Sequence, residues 1–252
     1  MCFPILNEYL GIPYAAPPTG ALRWQPPAPA TAWHGVRDAT HFGANCAQPA
    51  SPYGIASTSE DCLFLNVYSP RGVPAHTRLP VMVWIHGGAF SYGESNDFDP
   101  APLVAHGIVV VTINYRLGAL GFLADASLGE HGVGGSLASG GDYGLMDQQA
   151  ALHWVQANIG GFGGNRREVT FAGESAGGLS VLAQLASPGA RGLFSRAIVE
   201  SGTYQLDQDT LAQAEASGAA FAAKAGCADN SAECLRALSV STILAEIGRA
   251  HV

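Results

Sequence analysis

Four short apolar runs constrain most strongly what this chain can fold into. They contain β-branched residues, lack strict polar alternation, and lie at residues 81–85, 108–115, 168–172 and 196–200. Such runs are typical of strands that are buried on both faces, as in a parallel sheet. Helical patterns lie between and after them, at residues 145–159, 176–186 and 209–225. This alternation predicts an α/β doubly wound sheet, mostly parallel and flanked by helices.

The composition narrows the classes of protein further. Hydrophobic residues are 48% of the 252 and charged residues 13%, which excludes intrinsic disorder. The formal net charge is −8 and Lys224 is the single lysine, so no basic field is available for nucleic acid or an anionic membrane surface. The apolar runs are far too short to span a bilayer. No repeat or linker divides the chain, so we expect one domain over residues 1–252.

Two other segments and several absent motifs complete the survey. Residues 7–33 are rich in proline, which predicts an irregular segment over the surface. The first residues lack a cationic start followed by an apolar run, so no signal peptide is expected. No HExxH motif, clustered His/Cys set or phosphate-binding glycine pattern occurs, so we expect neither metal nor cofactor. The sequence carries no indication of oligomeric state.

A GxSxG motif supplies a candidate nucleophile, Ser175, between Gly173 and Gly177. The motif alone is a weak signal in a chain with 32 glycines, but it follows a predicted strand and precedes a predicted helix. That context is the strand–turn–helix arrangement of a nucleophile elbow. The sharp turn would strain the backbone at the serine and place its hydroxyl at a helix N-terminus, where amide N–H groups favour negative charge.

A second glycine motif follows the first parallel strand. His86 is followed by two glycines, then Ala89 and Phe90. Small residues let a backbone turn its amides toward a reacting carbonyl, so this loop is a candidate oxyanion hole. The alternative is an ordinary glycine turn after a strand, which is the simpler interpretation when the loop is considered without the elbow.

These motifs carry a family resemblance. Further matching segments include Ser-Glu-Asp-Cys-Leu at residues 59–63, Asn-Tyr-Arg at 114–116 and Gly-Leu-Met-Asp-Gln at 144–148, and the proline-rich segment matches as well. In this order they resemble type-B carboxylesterases, the cholinesterase-like α/β-hydrolases. Hormone-sensitive-lipase-like esterases share the two glycine motifs but lack the Glu-Asp-Cys-Leu segment. The sequence departs from the family pattern in having Ala89 in place of a third glycine and Asn165-Arg166 in place of Asp-Pro.

The resemblance implies a reaction and a role for each matching residue. It implies an α/β-hydrolase fold and hydrolysis of small-molecule carboxylic esters through an acyl-enzyme on Ser175. The oxyanion-hole amides would be those of Gly88, Ala89 and Ala176. Glu174 and His86 would support the site, Glu174 by bonding beside the nucleophile and His86 by supporting the oxyanion loop. Two buried ion pairs are also implied, Arg23 with Glu60 and Arg116 with Asp147.

The five cysteines leave two interpretations open. Taken alone they could be five buried thiols or two disulfides with Cys2 spare. The resemblance favours disulfides, Cys46 with Cys62 and Cys227 with Cys234. Disulfides persist in oxidising compartments, which favours a secreted or periplasmic location.

A base and an acid for Ser175 are harder to find. In α/β-hydrolases they follow the serine in the order acid, then histidine. The one later histidine is His251, beside the C-terminus, and we interpret it as unrelated to catalysis. The later acids are likewise interpreted as structural or solvated; they are Glu200, Asp207, Asp209, Glu215, Asp229, Glu233 and Glu246. We therefore expect an incomplete α/β-hydrolase, truncated at both ends and without its C-terminal strands. The alternatives are a catalytically inactive fragment and a non-catalytic cholinesterase-like binding module.

Overall fold

The computed structural model describes residues 6–74, 76–128, 140–203 and 208–247. Within these ranges the strands are β1 (Leu6–Pro13), β2 (Phe64–Pro70), β3 (Leu79–Ile85), β4 (Val109–Ile113), β5 (Gly164–Glu174) and β6 (Arg196–Glu200). The α-helices are α1 (Ala101–Ala105), α2 (Gly118–Phe122), α3 (Tyr143–Asn158), α4 (Ala176–Ala186), α5 (Leu211–Lys224), α6 (Ala232–Ala237) and α7 (Val240–Ile247). Short 3₁₀-helices occupy Gly20–Leu22, Ile159–Phe162 and Pro188–Ala190.

The six strands form one mixed sheet in the order β1-β2-β4-β3-β5-β6. β4, β3, β5 and β6 run parallel to one another, while β2 is antiparallel to both β1 and β4. The four predicted strands correspond to β3, β4, β5 and β6, and the three predicted helices to α3, α4 and α5. The α/β fold class predicted from the sequence is therefore confirmed.

The strand order places a topological switch point at the carboxyl ends of the central strands. β3 lies between β4 and β5, so the chain leaves β3 toward one side and later crosses to the other. Ligands of open α/β sheets bind at such a switch point, beyond the carboxyl ends of the strands. β3 and β5 are paired up to Ile85 and Gly173. The two predicted glycine motifs therefore lie side by side at the carboxyl ends of these strands.

Apolar side chains cover both faces of the central strands. Val109, Val111 and Ile113 of β4 pack in the large cluster that also contains Leu152 of α3. Val110 points to the other face and packs in a second cluster, against the α1 side. Burial on both faces explains why this run shows no polar alternation.

The N-terminal prediction was wrong in part. Residues 7–33 were expected to be irregular, but Leu6–Pro13 is the edge strand β1, paired with β2. Its pairing is irregular between Tyr9 and Ile12, around Gly11, whose φ is 64°. An edge position tolerates a bulge and a terminal proline because one side of the strand needs no partner. Beyond Pro13 the segment has neither strand nor α-helix until β2, apart from its 3₁₀ turn.

Two disulfides are present within the described residues. Cys46 bonds Cys62, and Cys227 bonds Cys234, as the resemblance implied. Cys2 lies outside the described residues.

Both ion pairs implied by the resemblance are present and largely buried. Arg116 binds Asp147 through Nε (2.8 Å) and Nη2 (2.7 Å). Burial alone would lower the pKa of Arg116, but the Asp147 carboxylate outweighs it and raises that pKa. Arg23 binds Glu60 through Nε and Nη2, at 2.6 and 2.5 Å. Nη1 of Arg23 also donates to the carbonyls of Arg236 and Leu238, at 3.0 and 2.6 Å.

The described residues contain no helix long and apolar enough to cross a membrane. Over those same ranges, no group of three or more His, Cys, Asp or Glu side chains is arranged to hold a metal ion.

Candidate active site

Ser175 lies in a strained turn between β5 and α4. Its φ is 56° and its ψ is −120°, in a region that non-glycine residues rarely adopt. Such a conformation costs on the order of 1–3 kcal/mol and persists only when its surroundings enforce it. Here the amide of Ser175 donates to the carbonyl of Glu200 (2.8 Å), and its carbonyl accepts from the amide of Leu179 (2.9 Å). The turn has the shape that the GxSxG motif predicts.

Close backbone packing enforces that turn. A Cβ on Gly173 would lie 2.5 Å from the carbonyl carbon and oxygen of Gly177. A Cβ on Gly178 would lie 2.7 Å from the carbonyl oxygen of Glu200. The end of β5, the start of α4 and the end of β6 therefore meet backbone to backbone, which side chains at the two glycines would prevent.

The Ser175 hydroxyl is half-buried at the helix N-terminus and makes no hydrogen bond within the described part of the chain. The loop after β3 lies beside it, since a Cβ on Gly87 would be 3.0 Å from Cβ of Ser175. That Cβ on Gly87 would also lie 2.9 Å from Oε2 of Glu174. Glu174 thus borders the glycine loop, but the predicted bonding by its carboxylate does not occur among the described residues.

Residues 86–95, here called the glycine loop, present unbonded amides on this side. Gly88, Ala89 and Phe90 have consecutive positive φ values of 98°, 52° and 57°. The amides of Gly88 and Ala89 donate to no described residue. The amide of Ala176 occupies the first position of α4, where no partner exists within the helix. The three amides predicted to form an oxyanion hole are therefore available to a ligand.

His86 is enclosed beneath the glycine loop. Its ring stacks on Tyr115 with centroids 4.5 Å apart, and Nδ1 donates to the carbonyl oxygen of Gly87 at 2.9 Å. Burial lowers the pKa of His86 to about 4, despite the opposing effect of the Gly87 bond. The imidazole is therefore neutral near pH 7, with Nε2 buried and without a partner among the described residues. This environment suits a packing role rather than proton transfer from Ser175.

The structure brings no described histidine or later acid into hydrogen-bonding contact with Ser175. Glu200 pairs with Glu174 across β5 and β6 through the backbone, and its side chain is exposed. Asp209, Asp229 and Glu233 are exposed as well, and Glu215 is partly buried. Asp207 and His251 fall outside the described ranges.

Sequence reasoning missed two residues that hold the glycine loop. Tyr115 donates its hydroxyl to the carbonyl of His86 at 3.0 Å. Gln48, in the loop closed by the first disulfide, binds both backbone atoms of Gly93. No local pattern identifies either residue, because each acts on a segment distant in sequence.

The fold, the strained serine and the adjacent free amides at the carboxyl ends of β3 and β5 define an α/β-hydrolase. A family model described as "Carboxylesterase family" matches residues 4–250. The chain belongs to the carboxylesterase family.

Individual relatives agree with this membership. The chain is 43% identical over 247 residues to the para-nitrobenzyl esterase of Bacillus subtilis (strain 168), covering 95% of this chain and 48% of the relative. It is 48% identical over 208 residues to Carboxylesterase 1D of Rattus norvegicus, covering 77% of this chain and 35% of the relative. A solved structure of PNB esterase superposes with a TM-score of 0.85 at 40% identity, covering 99% of this chain and 51% of that one. The chain thus spans about half the length of these relatives or less.

Proposed function

We propose that this protein is a serine carboxylesterase, with Ser175 as the nucleophile that attacks the carbonyl carbon of a small-molecule ester. One observation carries the proposal: Ser175, whose hydroxyl is unbonded, lies beside Gly87 at adjacent strand ends, and the unbonded amides of Gly88 and Ala89 follow directly. The names of the relatives, which are esterases, support the same class of reaction.

The reaction proceeds in two balanced steps. A general base accepts the proton of Ser175 as Oγ bonds to the ester carbon, and the tetrahedral oxyanion forms. The amides of Gly88, Ala89 and Ala176 donate to that oxyanion, each donor contributing about 100- to 1000-fold in rate. The alcohol leaves with a proton, the acyl group remains on Ser175, and water then releases the acid by the reverse sequence. No metal or cofactor enters either step.

Glu174 and His86 have supporting roles in this proposal. The Glu174 carboxylate borders Gly87 and fixes the shape of the site beside the nucleophile, outside the triad. The neutral ring of His86 fills the space under the glycine loop and binds Gly87. The base and the acid of the triad come from residues outside the described ranges.

The two disulfides support an oxidising location for the protein. Both close short loops, and the bonded side chains of Cys46, Cys62 and Cys227 are buried. Disulfides of this kind form outside the reducing cytosol. We therefore propose secretion or export to a periplasm, which is compatible with the two cystines but does not follow from the reaction.

The proposal is tested by replacing Ser175 with alanine in the full-length protein. We expect p-nitrophenyl acetate turnover and labelling by a fluorophosphonate to be lost, since the phosphorus would have no oxygen to bond. The matched control is Ser187→Ala, because Ser187 follows the same helix and binds Gln149 through its hydroxyl. Circular dichroism reports whether both variants fold.

Each outcome has a distinct meaning. Loss of both signals in folded Ser175→Ala, with Ser187→Ala unaffected, supports the proposal. Turnover retained by folded Ser175→Ala rejects it. A wild-type protein that neither turns over esters nor takes the label would favour the non-catalytic binding module.

A further inference from the structure

The glycine loop holds a backbone conformation that it would not adopt unaided. Ala89 and Phe90 both have positive φ values, of 52° and 57°, and neither is glycine. An L-residue in this region costs about 1–2 kcal/mol. The two unbonded amides belong to the residues at the start of this turn, Gly88 and Ala89, which follow the Gly87 that borders Ser175. Their direction therefore depends on whatever holds the loop at its two ends.

The start and the middle of the loop are held by residues 115–118 and by bonds within the loop. Tyr115 binds the carbonyl of His86, and the amide of Gly118 donates to the carbonyl of Phe90 at 2.7 Å. Within the loop, the amides of Ser91 and Tyr92 both donate to the carbonyl of Gly88 at 2.9 Å. These bonds define the turn as far as Tyr92. The end of the loop is held separately, because the amide of Ser95 donates to Oδ1 of Asn114 at 2.8 Å, and Gly93 lies between these two fixed points.

Gln48 holds Gly93 itself through what we call the Gln48–Gly93 bridge. Its Oε1 accepts from the amide of Gly93 at 2.9 Å, and its Nε2 donates to the carbonyl of Gly93 at 2.9 Å. Nε2 also donates to the carbonyl of Cys46 at 3.2 Å. The side chain is 1% exposed. Because a backbone amide only donates and a carbonyl only accepts, the orientation of the Gln48 amide is determined by its partners.

The bridge is connected to both the disulfide loop and His86. Gln48 and Ser57 exchange two backbone hydrogen bonds of 2.9 Å inside the loop closed by Cys46 and Cys62. On the other side, a Cβ on Gly93 would lie 2.3 Å from Nδ1 of His86. A shift of Gly93 would therefore displace the ring that packs beneath the predicted oxyanion amides.

We propose that Gln48 is a positioning residue, which aligns the amides of Gly88 and Ala89 with the reacting carbonyl oxygen by fixing both backbone atoms of Gly93. The proposal rests on the proposed esterase function. The side chain of Gln48 is buried and binds only backbone atoms of Cys46 and Gly93 among the described residues, so in this proposal it acts through the direction of the donors. A misplacement of about 1 Å in a catalytic group can cost on the order of 100-fold in rate.

Two substitutions in the full-length protein test this role. Gln48→Glu keeps the shape and the acceptor but places a carboxylate oxygen against the carbonyl of Gly93. Gln48→Met keeps the length and removes both bonds. We expect kcat for p-nitrophenyl butyrate to fall roughly 10- to 100-fold, with KM changed by less than about threefold. The inhibition constant of a trifluoromethyl ketone, whose adduct with Ser175 carries the oxyanion, should rise by a similar factor.

Gln156→Met is the matched control. Gln156 donates to the carbonyls of Arg166 and Leu193 at 2.9 and 2.7 Å, at the opposite end of the sheet. The Gln156→Met variant should have a lower thermal stability, with kcat and the inhibition constant of the ketone unchanged. If Gln48→Met does not fold, Gln48→Glu decides the question.

The result that overturns the inference is a kcat within about threefold of wild type. A ketone constant that stays unchanged while kcat falls would overturn it too. Failure of this inference is separable from failure of the esterase proposal. If turnover depends on Ser175 and the Gln48 variants are fully active, only the positioning role is lost.

Discussion

Gly177, in the first turn of α4, lies directly against the carbonyl oxygen of Ile85 at the end of β3: a Cβ on Gly177 would be 2.1 Å from that oxygen. The contact joins the helix behind Ser175 to the strand that leads into the glycine loop. The backbone separation of the two motifs is thus set by a residue that bears no side chain. The GxSxG pattern requires glycine here for packing as well as for the turn.

Gly177→Ala should therefore destabilise the fold. Alanine in a helix ordinarily gains about 0.5–1 kcal/mol over glycine, but here the added methyl meets backbone that cannot rotate away. We expect a net loss of about 1–3 kcal/mol, or a fall in Tm of several degrees, measured by calorimetry. Gly160→Ala is the control, since a Cβ there meets nothing within 4 Å. Equal Tm values for the two variants would contradict the packing argument.

His86 should make stability depend on pH in the acidic range. Its pKa is about 4 when folded against 6.5 for an ordinary histidine, so between these values the unfolded chain binds more protons. The free energy of unfolding therefore falls as pH is lowered through this window, by about 3 kcal/mol in total. Above this pH window, the contribution of His86 to the free energy of unfolding is constant.

The test compares urea unfolding at about pH 7.5 and about pH 4.5 for wild type, His86→Gln and His153→Gln. His153 is exposed on α3 and serves as the control. His86→Gln should reduce the difference between the two pH values by about 2–3 kcal/mol, while His153→Gln should leave it unchanged. A His86 variant with the wild-type pH dependence would show that burial does not keep the ring neutral.

The two disulfides should contribute unequally. In the chain-entropy model, the Cys46–Cys62 link, with a separation of 16, contributes about 3 kcal/mol, and the Cys227–Cys234 link, with a separation of 7, about 2 kcal/mol. Paired Cys→Ser replacements at each link, compared by urea unfolding, measure this difference. Peptide mapping without reductant should recover both links and a free Cys2. Free thiol at all five cysteines after oxidative expression would contradict the pairing.

Residues 1–252 produced alone should hydrolyse esters poorly. No described histidine reaches Ser175, and a serine hydroxyl without a base is a weak nucleophile. Oxyanion donors and binding alone leave a rate roughly 10³–10⁴ above the uncatalysed reaction, well below that of a complete triad. Turnover of p-nitrophenyl butyrate by the purified chain measures this. Turnover typical of an esterase would place a base within the chain, and His251→Ala would then identify it.

The sequence predicted the parallel core and the elbow because both are encoded locally. β4 is buried on both faces, so its apolar run has no competing interpretation, and the strain at Ser175 follows from the glycines around it. β1 was not predicted, because Gly11 and the terminal Pro13 oppose strand formation and its stability comes from pairing with β2. Gln48 was not predicted for a related reason: its two partners on Gly93 lie 45 residues away.

The hydrogen bonds of Arg23 can form only in a fixed order during synthesis, because its partners are far apart in the sequence. Its first partner, Glu60, follows 37 residues later, but the carbonyls of Arg236 and Leu238 follow only after 213 and 215 residues. At about 5–20 residues per second, the ribosome adds those last acceptors roughly 10–40 s after Arg23. Until then, part of a guanidinium that is buried in the finished protein must remain hydrated, because an unpaired buried donor is costly. The N-terminal proline-rich segment can therefore adopt its final conformation only after α6 has left the ribosome. It is among the last parts of the molecule to become ordered.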